Sequence, residues 1–161
     1  MTIAPDLIER LRFLARVTER ERAHLLSTDK RVFAEPFSPA RAKQLDVDAD
    51  LSERVEAFVA RFSRLQDTLG DKFVPALLRA LGEPVGAVID NLDRAERFRW
   101  LASADGWLAA RHLRNRMIHE YIEDPAILAS ALQAGHEFVP MLVATSSALL
   151  AEIERRGWID G

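Results

Sequence analysis

Residues 51–69 limit the fold more than any other part of the chain. Leu51, Val55, Phe58, Phe62, Leu65 and Leu69 are spaced 4, 3, 4, 3 and 4 residues apart. At about 3.6 residues per turn this spacing puts all six on one narrow stripe of a helix, whereas a strand would divide them between two faces. So apolar a stripe has to be covered, which commits the chain to packing helix on helix. Asp50 or Ser52 is placed to cap the start. After Gly70 the pattern resumes at Phe73, Leu77 and Leu81, and Gly82 with Pro84 ends it. Pro75 has no amide hydrogen, so a kink or a break is predicted beside it.

The flanking segments read the same way. Leu7, Leu11 and Leu14 recur at helical spacing and predict a first helix from about Pro5 to Ser27. "DKRVFAEPFSPARAKQLDVD" holds two prolines and no clean period, and reads as an ordered loop or arm anchored by Phe33 and Phe37. "VGAVIDNLDRAERFRWLA" predicts a short helix. Ser103 or Asp105 then caps a helix that begins near Trp107, with Trp107, Ala110, Leu113 and Met117 as its inner face. Asp124 followed by Pro125 is a start signal for a last helix along Leu128, Leu132, Val139, Leu142, Leu149 and Ile153, which Pro140 should bend. No strand alternation persists, and no internal repeat is visible. The expectation is an all-α, antiparallel up-and-down bundle of about five helices. Residues 1–161 are expected to form a single domain, with residues 1–48 as an N-terminal helix plus arm. At 161 residues and 48% apolar composition the chain can bury a core of its own.

Other features narrow the function. The absence of cysteine removes disulfides, thiolate catalysis and Cys-based zinc sites, and is compatible with a cytoplasmic location. "MTIAPDLIERLRFLARV" reads as an amphipathic helix rather than a signal peptide, because its charges fall inside the apolar pattern. No uninterrupted apolar run is long enough to span a bilayer, so no membrane association is expected.

Charge is distributed unevenly. From Arg94 to Ile118 there are six arginines (94, 97, 99, 111, 114 and 116) against Glu96 and Asp105, a balance of +4 in a chain whose net charge is -3. The remainder therefore carries -7. On charge alone the segment reads first as a solvated, salt-bridged helix face, and second as a local anion site, since the planar fork of arginine matches phosphate oxygens. Arg111 and Arg116 are candidate auxiliary cations. His119 adds a group that exchanges a proton near neutral pH. Cleavage of RNA by its own 2′-hydroxyl needs a proton acceptor or donor and a cation for the growing phosphorane charge, and Arg114 with His119 supplies both without metal. The two are five residues apart, about 140° around an ideal helix. One regular helix does not point both at the same atom. Either the helix loosens before Asp124, or a second copy completes the site. As a purely structural residue, His119 would bond carbonyls at the helix end.

Asn115 lies one turn before His119 and can orient its imidazole or bond a phosphate. His112 lies a further turn back. The two histidines are separated by about 10 Å along the axis, too far for one metal ion, and the segment has no zincin motif. Neither metal nor cofactor is expected. His24 and His136 look isolated and read as packing or surface residues. Tyr121 is the only tyrosine; it continues the inner face of Met117, or lines the site, or accepts a modifying group. Arg61, Arg64, Asp67 and Asp71 read first as a salt ladder along one helix, with Arg64 or Asp67 reaching the site as the second possibility.

Arg114, Asn115, His119 and Tyr121 together spell R-N-x-x-x-H-x-Y. This pattern resembles the R-x4-H-x-Y motif of HepT-like toxins in the HEPN superfamily. The detailed match covers about eight residues, and a compatible helical layout covers residues 50–155. The resemblance implies a metal-independent endoribonuclease acting on RNA, built as a homodimer with arginine and histidine from both subunits at one cleft. It implies that Arg114 polarises the scissile phosphate, that His119 is the general base or acid, and that Asn115 supports them. Tyr121 would correspond to the tyrosine that a partner nucleotidyltransferase antitoxin of the MNT type modifies with AMP. Residues 1–48 depart from the compact pattern of such chains. The alternative from a different class is a non-catalytic helical module that docks on a nucleotidyltransferase or binds a nucleotide.

Overall fold

The computed structural model describes residues 3–119 and 124–159; at residue 119 the helical backbone is described and the side chain is not. Every regular element among the described residues is helical. They are α1 (Pro5–Val32), α2 (Pro39–Lys43), a 3₁₀ turn (Gln44–Asp46), α3 (Ala49–Asp67), a π-helical turn (Thr68–Phe73), α4 (Val74–Ala80), α5 (Val88–Arg97), α6 (Ala104–His119) and α7 (Pro125–Arg155). Because α3 runs through the π turn into α4 without a break, these make six helices among the described residues rather than about five. The added one is α2, five residues inside the segment read as an arm. It starts at Pro39, and the Ser38 hydroxyl caps it by accepting the Arg41 amide at 3.2 Å.

The six stripe residues of α3 and the π turn are all buried. They pack chiefly against α1, with α6 and α7 also in contact. Phe58, Phe62, Phe73 and Trp107 are the bulkiest fully buried side chains, and each removes a large apolar area from water. The cap of α3 is Asp48, whose Oδ1 accepts the Leu51 amide at 3.1 Å, and neither Asp50 nor Ser52 fills that role.

Pro75 neither breaks the helix nor ends it. A proline cannot donate to the fourth preceding carbonyl, and its ring crowds that carbonyl. The backbone widens instead into the π turn immediately before it. Gly70 lies in this turn against α6: a Cβ there would come 2.8 Å from Trp107 Nε1, so only a bare Cα lets the indole lie on the turn. The widening thus sets how closely α6 approaches and where Thr68 and Asp71 are presented.

The inner face of α6 is as the spacing predicts, with Trp107, Ala110, Leu113 and Met117 all buried. Ser103 caps it, its hydroxyl accepting the Gly106 amide at 2.9 Å, and the Glu96 carboxylate accepts the Ala104 amide at 2.9 Å. Asp124 caps α7 by accepting the Ala126 and Ile127 amides at 2.9 and 3.4 Å. Pro140 lies inside α7, which continues through it. By length and a mean hydropathy of 1.3 this helix would pass for a membrane-spanning segment, which a search for uninterrupted apolar runs overlooks. In the structure one face of it packs on α1, α2, α3 and α6.

Two expectations about α1 and its contacts change. The first helix extends past Ser27 to Val32. His136 is not isolated: its Nδ1 lies 2.7 Å from Asp29 Oδ1, and its ring stacks on Phe33 at 4.4 Å. Phe33 meets Phe58 edge-on at 4.9 Å, Phe37 is buried, and the Phe37 amide donates to Gln133 Oε1 at 2.9 Å. The anchoring of the arm by these two phenylalanines is therefore present. His24 contributes its backbone carbonyl, which accepts from the Arg61 guanidinium at 3.3 Å.

Candidate functional site

The arginines of α6 are positioned by a helix 40 and more residues away in sequence. With Trp107, Leu113 and Met117 turned into the core, Arg111 and Arg114 flank that face one turn apart and reach toward α3 and the π turn. Arg114 Nη1 pairs closely with Asp67 Oδ1 and donates to the Ser63 carbonyl at 3.4 Å. Arg111 Nη2 donates to both oxygens of Asp71, at 2.8 and 2.7 Å, and lies 3.7 Å from Asp67 Oδ1. Asp67 therefore lies between two guanidinium groups.

Arg114 is the more covered of the two, with its side chain 19% exposed against 30% for Arg111. Its Nε is buried and has no hydrogen-bond partner among the described residues, and the Ser63 hydroxyl beside its anchor is in the same state. A buried donor left without an acceptor costs about 1–3 kcal/mol.

The same end of α3 holds a third carboxylate. Glu21 on α1 accepts from the Thr68 hydroxyl at 2.8 and 3.1 Å. Burial pushes its carboxyl above the ordinary value, and the negative charge of Asp67 adds to this. The Thr68 hydrogen bond and the charges of Arg64 and Lys72 pull the other way. Glu21 therefore holds a proton more readily than a free carboxylate.

The sequence candidates divide into three groups. Arg111, Arg114 and Asp67 come together, with Asp71 as a fourth member that a ladder confined to one helix does not predict. The ladder along α3 is corrected here: Asp67 and Asp71 pair across to α6, while Arg61 turns to Thr28 and His24 on α1. The reason is reach, because the acids at the C-terminal end of α3 face the groove where α6 lies. Arg64 is exposed and acts on Glu21 rather than on α6. Asn115, Arg116 and His112 are exposed, with no partner among the described residues. The side chain of His119 and all of Tyr121 lie outside the described residues, so their roles as catalytic base and modification site are carried by the sequence alone.

The backbone nevertheless constrains His119. The described helix stays regular from Ala104 to position 119, so position 119 remains about 140° from Arg114 around the axis. It shares a face with Asn115 and His112, both exposed. Ile118 beside it is 50% exposed, a large apolar side chain in water. Among the described residues no group of three or more His, Cys, Asp or Glu is placed to hold a metal ion. Ser63, Thr68 and Glu21 are the members of this neighbourhood that sequence reasoning misses, and Asp71 reads from the sequence only as part of a ladder along α3. The one available signal was Gly70 followed by Pro75, which marks irregular backbone at the end of α3.

No protein-family model, curated protein or solved structure matches the chain.

Proposed function

We propose that this protein is a metal-independent endoribonuclease toxin of a HEPN/MNT-type toxin–antitoxin pair, cleaving RNA by attack of the 2′-hydroxyl in the cytoplasm. The observation that carries the reading is the position of Arg114. It is the first residue of the R-N-x-x-x-H-x-Y pattern, and its guanidinium is largely covered and held in place by Asp67 and the Ser63 carbonyl. A cation so held can stabilise charge on a phosphorane without first having to be ordered. His119, four residues beyond the exposed Asn115, is the group for proton transfer, and Asn115 supports it.

The regular backbone of α6 favours completion of the site by a second copy, since one helix separates the two groups by about 140°. In a homodimer, Arg114 of one protomer and His119 of the other would face one phosphodiester, and Ile118 would be covered. Tyr121 would be the residue that a nucleotidyltransferase antitoxin modifies with AMP, adding negative charge where RNA phosphate must bind.

The second reading, a non-catalytic module that docks on a nucleotidyltransferase or binds a nucleotide, draws on one specific observation. Asp67 and Asp71 already neutralise Arg114 and Arg111. Arrest of growth on expression separates the two. Under the nuclease reading Arg114→Ala and His119→Ala each abolish the arrest while the helical circular-dichroism signal is kept. Arrest that persists in both variants contradicts it.

A further inference from the structure

A second basic feature lies across the π turn from the candidate site. A cleft of about 340 Å³ opens between α1, the π turn with α4, and the start of α5. That is within the range of small-ligand sites, roughly 300–1,000 Å³. Three cations line it, Arg10, Lys72 and Arg79, against a single carboxylate, Asp71. Asp71 is already bonded to Arg111 at 2.7 Å on its other side. None of the three cations is within ion-pair distance of a carboxylate among the described residues, although Lys72 acts on Glu21 at longer range. A chain with a net charge of -3 thus presents uncompensated positive charge at one concave place.

The wall of the cleft is built rather than loose. Asn91, buried, accepts the Gly86 amide at 2.9 Å and donates to the Gly86 carbonyl at 3.1 Å, which fixes the loop before α5. Ala87 opens α5 without a side-chain cap, and Asp90 in the first turn brings its carboxylate near Gly86, so the attraction for an anion comes from the three cations and not from the start of α5. A solvated set of cations on a convex surface would lack this fixed wall.

We infer that this cleft holds a phosphate of the RNA strand flanking the scissile one. The inference rests on the proposed nuclease reading for its choice of ligand. Asp71 is the reason to favour a strand over a free nucleotide, because it lines the cleft and also bonds Arg111 on the helix that carries Arg114. Cleft and candidate site therefore share a wall, and a continuous chain of phosphates can touch both. Arg10, Lys72 and Arg79 act as positioning residues that set which phosphodiester reaches Arg114.

The test is binding of a fluorescein-labelled 2′-O-methyl RNA 12-mer, which cannot be cleaved through a 2′-hydroxyl. Anisotropy is read over a range of salt for the full-length protein and for Lys72→Gln/Arg79→Gln. Both residues are exposed, so the variant keeps its fold, checked by circular dichroism. The expected result is about tenfold or more weaker binding at low salt, and a salt slope smaller by about 0.7 for each phosphate that is no longer neutralised. Equal affinity and equal slope overturn the inference, as does a wild-type protein that does not bind the oligonucleotide. AMP forms the second arm: binding of AMP that depends on Lys72 and Arg79, with RNA affinity unchanged, replaces the strand by a free nucleotide and overturns it too. Cleavage of unmodified RNA is followed separately. RNA held through Lys72 and Arg79 but never cut leaves the cleft standing and removes the nuclease. RNA cut in a His119-dependent way, with affinity indifferent to both cations, does the reverse.

Discussion

The two sides of α6 obey different rules. On one side Trp107, Ala110, Leu113 and Met117 are buried against neighbouring helices. On the flank Arg111 and Arg114 are half-covered and tied to Asp67 and Asp71, while Asn115 and Arg116 stay in water. Burial of the first set follows from spacing within a single helix, since any covering element will do. Pairing of the second set depends on partners 40 and 47 residues away and on where the π turn delivers them. The packed side makes the helix; the flank decides what it can do. Substitutions on the two sides should therefore fail in different ways.

The largest effect falls on the packed side. Trp107→Ala removes a buried indole that lies on Gly70 and leaves a cavity, at an expected cost of about 3–5 kcal/mol measured by denaturant unfolding. A cost below about 1 kcal/mol would mean that α6 is not held by this face. The flank is predicted to respond less. Asp67→Asn should cost about 1 kcal/mol or less, because the pair is partly solvated, with side chains 19% and 40% exposed. Its signature is coupling: a double-mutant cycle with Arg114→Ala should give an interaction energy of about 0.5 kcal/mol or more that shrinks in high salt. Strict additivity would break the pairing that distinguishes the flank from the core.

The smallest effect is at Glu21. A carboxyl raised by burial contributes stability that is present below the ordinary carboxylate value of 4.5 and is lost as pH rises through the folded value. Glu21→Gln keeps an acceptor for Thr68 and removes the charge that burial penalises. It should stabilise the protein at pH 7 by less than about 1 kcal/mol, solvent screening taking much of the shift. It should also flatten the loss of stability between acid and neutral pH. A destabilised variant at pH 7 would show that the charged form is the favoured one.

These differences account for what the sequence discloses. The α3 stripe, the inner face of α6 and the Asp124–Pro125 start of α7 all rest on neighbours within one element, and all three are present. Spacing does not single out Asp48 as a cap, because Asp46, Asp48 and Asp50 alternate there and only backbone geometry chooses among them. The π turn is legible as an irregularity at Pro75, but not as a widening that spares the helix. Helix α2 is too short to have a period. The His136–Asp29 contact joins residues 107 apart, and no pattern in a single chain announces it. At the candidate site Arg114 is legible as one of a cluster of arginines, whereas the identity of its carboxylate is not, because a ladder along α3 satisfies the same spacing. Asn115 and Arg116 remain candidates by exposure, and the motif alone continues to place His119 and Tyr121.

The central claim, that Arg114 and His119 act together on a phosphodiester, is tested most directly by the ends of the product. Wild-type and His119→Ala protein are incubated with total RNA in the presence of EDTA, and the new termini are analysed. The account predicts 2′,3′-cyclic phosphates from the wild type and a rate lower by about 10²–10⁴-fold for His119→Ala. Equal cleavage by both proteins, or ends that never carry a cyclic phosphate, would contradict it.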